Sequence, residues 1–260
     1  MPPDTQPTVG DTMGLGEIGH PAPGRYTELP VHDMADVFRC GWVRHVTEVV
    51  SPFPIRIIPD NCADFIVTDD GRAWLVGPAT RLELAELAPG TVVRGLRIQP
   101  HALQSVVDAD PSELTDRRAA FDDLLPARIA RTLSDALIRG AVDDRLLRQL
   151  WPRVTLDDRV TRGIRMLEVE TALSVEAVAR ACAMSPRQFR REVRQVSGLA
   201  PKTLQRVGRL HRTLEIARHQ PGMPVAVLAA AAGYADQSHL ARDARQLADL
   251  TPRELVRMYR

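Results

Sequence analysis

Lysine is almost missing from this chain: Lys202 stands alone among 34 basic residues, and the rest are arginine. A GC-rich coding bias produces such a skew by itself, so the imbalance excludes no function. Cysteine is scarce too. Cys40, Cys62 and Cys182 are odd in number and widely spaced, with no C-x-x-C pair, which excludes a disulfide framework and points to a reducing cytoplasm. No run approaches the ~20 consecutive apolar residues needed to cross a bilayer. The first 24 residues lack a basic n-region and an apolar h-region, which argues against a secretory signal, and with five Pro and five Gly they read as a disordered lead-in. None of the histidines stands in an H-x-H or H-E-x-x-H arrangement, so neither a metal nor a cofactor is expected.

What is present is ordinary globular material, 260 residues with 44% hydrophobic and 26% charged, a length that favours two domains. The net charge of +1 argues against a nucleic-acid partner only until it is divided. Residues 1–152 hold 15 basic and 22 acidic side chains, net −7, whereas residues 153–260 hold 19 basic and 11 acidic, net +8. A neutral protein made of an acidic half and a basic half reads as two modules.

Val37 to Ile98 is strand-like. The short apolar runs Arg56-Ile57-Ile58 and Asp64-Phe65-Ile66-Val67 precede an Asp69-Asp70-Gly71 turn. Ala73 to Val76 follows, then alternation through Leu82–Leu87, a Pro89-Gly90 turn and Val92–Ile98. This predicts a small antiparallel β domain over 25–126 with one face wet. Residues 127–152 read as a helical connector. Its stripe of Ile129, Leu133, Leu137 and Ile138 serves either dimerisation or packing onto the β domain.

From residue 153 the pattern is helical, and Thr155-x-x-Asp158 is a capping-type start. An internal repeat follows. Val175–Ala183 lines up with Val225–Gly233 at a shift of 50. Phe189, Arg191, Val193, Arg194 and Val196 line up with Leu240, Arg242, Ala244, Arg245 and Leu247 at 51. Each copy has helix-turn-helix grammar. Ser174 caps one helix, and Ser185-Pro186 with Gln188 starts the next as a capping box. Gly233 makes the second turn and Asp236 caps the last helix. The two units span about 174–198 and 225–249, joined by a linker helix at about 201–219. Such a helix holds two reading heads roughly one DNA turn, ~34 Å, apart. Arg187, Gln188, Arg190, Arg191 and Arg194 load one second helix; Gln237, Ser238, His239, Arg242 and Arg245 load the other. These side chains hydrogen-bond guanine, adenine and phosphate oxygens.

Gly233-Tyr234-x-Asp236-Gln237-Ser238-His239-Leu240-x-Arg242 and Leu250-Thr251-Pro252 resemble the signature of the AraC/XylS family of bacterial transcription regulators. The resemblance covers residues 155–260. Leu240, Ala244 and Asp249 depart from it, standing where the family has phenylalanines and a glycine, which implies a looser second core. It implies an all-α domain of two helix-turn-helix units binding double-stranded DNA, with RNA polymerase, a small-molecule effector and a second copy of the chain as partners. Ahead of it, Ile58-Pro59-Asp60-x-Cys62-x-Asp64, Val76-Gly77-Pro78 and Gly95-x-Arg97-Ile98-x-Pro100 resemble a domain often fused to such modules, implying a β-rich, cupin-like sensor. The overall class is therefore α+β.

Trp42, Asp60, Cys62, Asp64, Trp74 and Arg97 are the candidate effector pocket. Cys62 reads either as a sensing thiol or as a small apolar residue in a turn. The competing function is enzymatic: a metal-dependent β-barrel, or an alkyl acceptor at Cys62, fused to a DNA-binding module. Repair proteins of that second type carry a four-cysteine zinc arrangement that this chain lacks.

Overall fold

Side chains alternate across the strands of the N-terminal half, and that alternation organises everything near the cavity. The computed structural model describes residues 24–46, 53–170 and 172–258, so the lead-in lies outside it except for Gly24. Six strands form one antiparallel sheet in the order β1 (Gly24–Pro30), β2 (Phe38–Val46), β7 (Val92–Ile98), β4 (Ala63–Thr68), β5 (Ala73–Val76) and β8 (Arg118–Ala120). Strands β3 (Phe53–Ile57) and β6 (Glu83–Leu87) pair separately, Ile55 opposite Ala85.

On one face of the large sheet Phe65, Val67, Leu75, Leu96 and Ile98 are fully buried. They pack under five helices: α1 (Leu103–Val106), α2 (Pro111–Leu114), α3 (Phe121–Leu124), α4 (Ala127–Arg139) and α5 (Asp144–Leu150). Leu133 and Leu137 of α4 and Trp151 belong to this same core. The apolar stripe of 127–152 thus faces its own sheet. The opposite face carries Trp42, Arg44, Asp64, Ile66, Trp74, Val76, Val93 and Arg97, and it looks across a cavity at β3 and β6. The face expected to be wet is therefore roofed, because β3 and β6, separated in sequence by β4 and β5, pair with each other and lie over it. Gly95 lies opposite Trp42 in the register, and any side chain there would occupy the space of the Trp42 indole.

The rest is helical: α6 (Asp158–Val169), α7 (Val175–Ala181), α8 (Pro186–Ser197), α9 (Pro201–His219), α10 (Val225–Ala231), α11 (Gln237–Ala248) and α12 (Pro252–Met258). Helix α6 is capped by Asp157 rather than by Thr155, since its carboxylate accepts from both Arg159 N (2.8 Å) and Val160 N (3.2 Å). Ser174, Ser185 and Asp236 cap α7, α8 and α11. The capping box at α8 is only half formed. Gln188 N donates to Ser185 Oγ, but the Gln188 amide reaches forward to Glu192 at 3.0 Å instead of back to the cap. Gly208 lets α9 cross α6 closely, because a Cβ there would press on the Glu168 backbone.

Candidate nucleic-acid interface and ligand cavity

In the first unit α8 buries Phe189 and Val193 and turns its arginines outward. Arg187, Arg190, Arg191 and Arg194 are exposed, and Gln188 is half-buried. Arg190 pairs with Glu176 of α7, and Arg191 with Glu192 at 3.3 Å. In the second unit α11 buries Leu240 and Ala244 and exposes Gln237, Ser238, Arg242 and Arg245. His239 is less free than its neighbours. Its ring stands edge-on to Tyr234 (5.1 Å) and 4.0 Å from Asp243, and burial together with Arg209 lowers its pKa. At neutral pH the ring is uncharged, a hydrogen-bonding group rather than a cation.

Helix α11 is held to α9 by a polar hub. Asp243, 3% exposed, accepts from Arg206 Nε at 2.8 Å and lies 3.8 Å from Arg209 Nη2. The Arg209 guanidinium lies 5.2 Å from the centre of the Tyr234 ring. Nothing in the local pattern marks Asp243 as buried, except that its phase on α11 places it beside Leu240 and Leu247.

The cavity between the sheet and the β3–β6 pair has a volume of about 590 Å³. Trp42, Asp64, Trp74 and Arg97 line it, as do Ile55, Ile57, Ile66 and Val93. Asp60 and Cys62 do not. Asp60 instead pairs with Arg97 and accepts from the Cys62 amide, and the Cys62 side chain is buried outside the cavity lining. Asp64 accepts from Trp42 Nε1 (2.7 Å) and Arg97 Nε (3.1 Å), and Arg97 also pairs with Asp60 (3.3 Å). Burial pushes both carboxyls up. For Asp60 the guanidinia of Arg97 and Arg39 and the His211 ring outweigh it, holding the group below the usual range; Asp64 stays above it. Cys62 is 4% exposed and burial raises its thiol well above the ordinary value, so it is a poor nucleophile. All three cysteines are free and buried. Among the described residues no group of three His, Cys, Asp or Glu side chains is placed to hold a metal ion, and no helix is long and apolar enough to cross a membrane.

Fold and surface define a class: a β-rich domain followed by a double helix-turn-helix module of the DNA-binding kind. Residues 159–258 match the family model described as a helix-turn-helix domain, and residues 26–120 match a domain of unknown function, DUF6597. The C-terminal part of the chain is thus a helix-turn-helix domain. It is 31% identical over 97 residues to the bifunctional transcriptional activator/DNA repair enzyme Ada of Escherichia coli; that stretch is 37% of this chain and 27% of Ada, so the chain spans about a quarter of that relative. Among solved structures it is similar to an AraC-type regulator from Chromobacterium violaceum, with 24% identity, TM-score 0.36, and 39% of this chain and 91% of that one covered. The chain as a whole is similar also to ToxT from Vibrio cholerae, with 10% identity, TM-score 0.43, and 90% of this chain and 97% of that one covered.

Proposed function

We propose that the protein is a cytoplasmic, one-component transcription regulator. Helices α8 and α11 enter successive major grooves of double-stranded operator DNA, and a small molecule held between the sheet and β3–β6 adjusts that binding. The observation that carries the reading is the pair of capped, outward-facing polar helices joined by the 19-residue α9. At the usual rise α9 is roughly 28 Å long, close to one turn of DNA. Arg187, Gln188, Arg190, Arg191 and Arg194 then read or clamp one half-site, and Gln237, Ser238, His239, Arg242 and Arg245 the other. A cavity whose apolar wall is interspersed with charged side chains (Arg44, Arg72, Glu83, Glu86 and Arg118), and which holds the buried Arg97–Asp64 pair and a buried Trp74 Nε1 without a hydrogen-bond partner among the described residues, suits an organic effector with polar groups. RNA polymerase and a second copy of the chain are the expected partners at a promoter. The alkyl-acceptor reading is disfavoured, because a shielded, protonated Cys62 cannot present a thiolate.

Footprinting the purified protein on DNA upstream of its own coding region tests this. Arg242→Ala is expected to weaken binding to the protected site by about 1–3 kcal/mol while leaving random DNA nearly unaffected, and affinity should fall steeply with salt. An equal loss on random DNA would make Arg242 a phosphate contact, and absence of any salt-sensitive protection would defeat the reading.

A further inference from the structure

The cavity and the reading helices are joined by five consecutive residues of the β domain, 58–62, that are anchored on the C-terminal one. Ile58 is 1% exposed and shares a core with Val207, Leu210 and Leu214 of α9 and with Ala244 and Leu247 of α11. The Pro59 carbonyl accepts from His211 Nε2 on α9 at 2.7 Å. Asn61 adopts the left-handed conformation at φ 68° and is 2% exposed. From there its Nδ2 donates to the Leu204 carbonyl of α9 and to Glu168 of α6, both at 3.2 Å. On the cavity side the Asp60 carboxylate holds the Cys62 amide (3.0 Å) and Arg97 Nε (3.3 Å), and Arg97 is part of the cavity wall with Asp64. A buried side chain making two bonds from an uncommon backbone conformation persists only where its surroundings fix it.

We propose that residues 58–62 form a coupling turn: an occupant that disturbs the Arg97–Asp64 pair changes the hold of Asn61 on α9, and so the setting of the two helices that α9 separates. The device needs no large movement. Arg97 reaches three carboxylates, Asp64 in the cavity wall (3.1 Å), Asp60 in the turn (3.3 Å) and Glu28 of β1 (3.8 Å), and of these only Asp60 belongs to the turn. Whatever weakens its pairing with Asp64 draws it toward Asp60 and pulls the turn away from α9. The last step rests on α8 and α11 being the DNA-reading helices; the first does not.

Amide hydrogen exchange on the full chain without DNA tests the first step. Asp64→Asn keeps the shape and removes the charge; Asn61→Gly keeps the positive φ and removes the two hydrogen bonds. Asp64→Asn is expected to speed exchange across residues 201–214 about tenfold and to leave α4, on the same β domain, unchanged. In the Asn61→Gly background residues 201–214 exchange faster from the start, and Asp64→Asn adds nothing. If Asp64→Asn fails to fold, Val93→Phe, which intrudes on the same cavity, takes its place with the same expectations. Unchanged exchange in α9, equal acceleration in α4, or the same increment with and without Asn61 would overturn the coupling. Failure to bind DNA with this exchange pattern intact would instead remove the proposed function and leave the turn standing.

Discussion

The two helix-turn-helix units descend from one pattern but are held together by different physics. In the first, Phe189 and Val193 are fully buried with Ile164, Leu167 and Val178, and Gly163 leaves the space that the Phe189 ring fills. In the second, the equivalent positions are Leu240 and Ala244. The volume they give up is not left empty: Ala244 packs in one cluster with Val207, Leu210 and Ile58, the last from the β domain. The helix-borne acid also changes role. Glu192 stays half-exposed and bonds Gln188 and Arg191 on its own helix, whereas its counterpart Asp243 is buried and bonds Arg206 of α9. The first unit has an apolar cluster of its own, although α8 also docks on α1 and α2, where Thr115 Oγ1 donates to the Gly198 carbonyl at 3.1 Å. The second instead shares its cluster with Ile58 of the β domain and adds an ion-paired hub, so a change at residues 58–62 reaches the packing inside the unit itself.

The largest effect that would break this contrast lies at Asp243. Asp243→Ala leaves Arg209, 4% exposed, without its carboxylate. Removing one partner of a buried pair costs about 3–5 kcal/mol, whereas Glu192→Ala at the half-exposed equivalent costs under about 1 kcal/mol. Urea unfolding of both variants measures the difference; equal losses would mean the hub is no more than surface charge.

A smaller effect sharpens the comparison at the turns. Gly233 turns the second unit at φ 86°, but the first unit makes the same turn with Ala183 at φ 54°. The left-handed region is costly for any residue with a Cβ. Ala183→Gly should therefore stabilise the protein by about 0.5–1 kcal/mol, and Gly233→Ala should destabilise it by about 1 kcal/mol. A loss of stability in Ala183→Gly would show that the Ala183 methyl packs more strongly than its backbone is strained.

What the sequence disclosed follows the range of the interaction. Ser174, Ser185 and Asp236 were legible as caps because each side chain bonds a backbone amide three residues on. The start of α6 was misplaced on Thr155 because the helix begins two residues later, where the Asp157 carboxylate accepts from the amides of Arg159 and Val160. The helix-turn-helix repeat was legible because both copies carry the same burial period. Tertiary roles were not. The pairing of β3 with β6 joins segments some thirty residues apart, so a roofed face read as wet. Asn61 drew no reading of its own, because its two acceptors, the Leu204 carbonyl of α9 and Glu168 of α6, lie more than a hundred residues away. Asp60 and Cys62 were grouped with Asp64 in the candidate pocket because they are close in sequence, but neither lines the cavity.

The smallest of these effects is a pH dependence confined to the second unit. His239 stands at the position of Gln188 and is neutral at pH 7, since burial, then Arg209, push its pKa below the usual 6.5 while Asp243 opposes them. A folded-state value below the unfolded one contributes stability that is present above about pH 6.5 and lost as pH falls, because the unfolded chain takes up a proton that the folded ring resists. His239→Gln, which copies the first unit, should therefore lose less stability between pH 7 and pH 5 than the parent. The acid loss will not vanish. His101, lowered to about 4 by burial, and His211, lowered mainly by burial, both remain in the variant and destabilise in the same direction. With a side chain 28% exposed, His239 contributes less than either of those buried rings. Thermal unfolding of parent and variant at the two pH values isolates its share. Identical acid losses would show that the ring gains a proton as readily folded as unfolded, and that the second unit is no more acid-sensitive than the first.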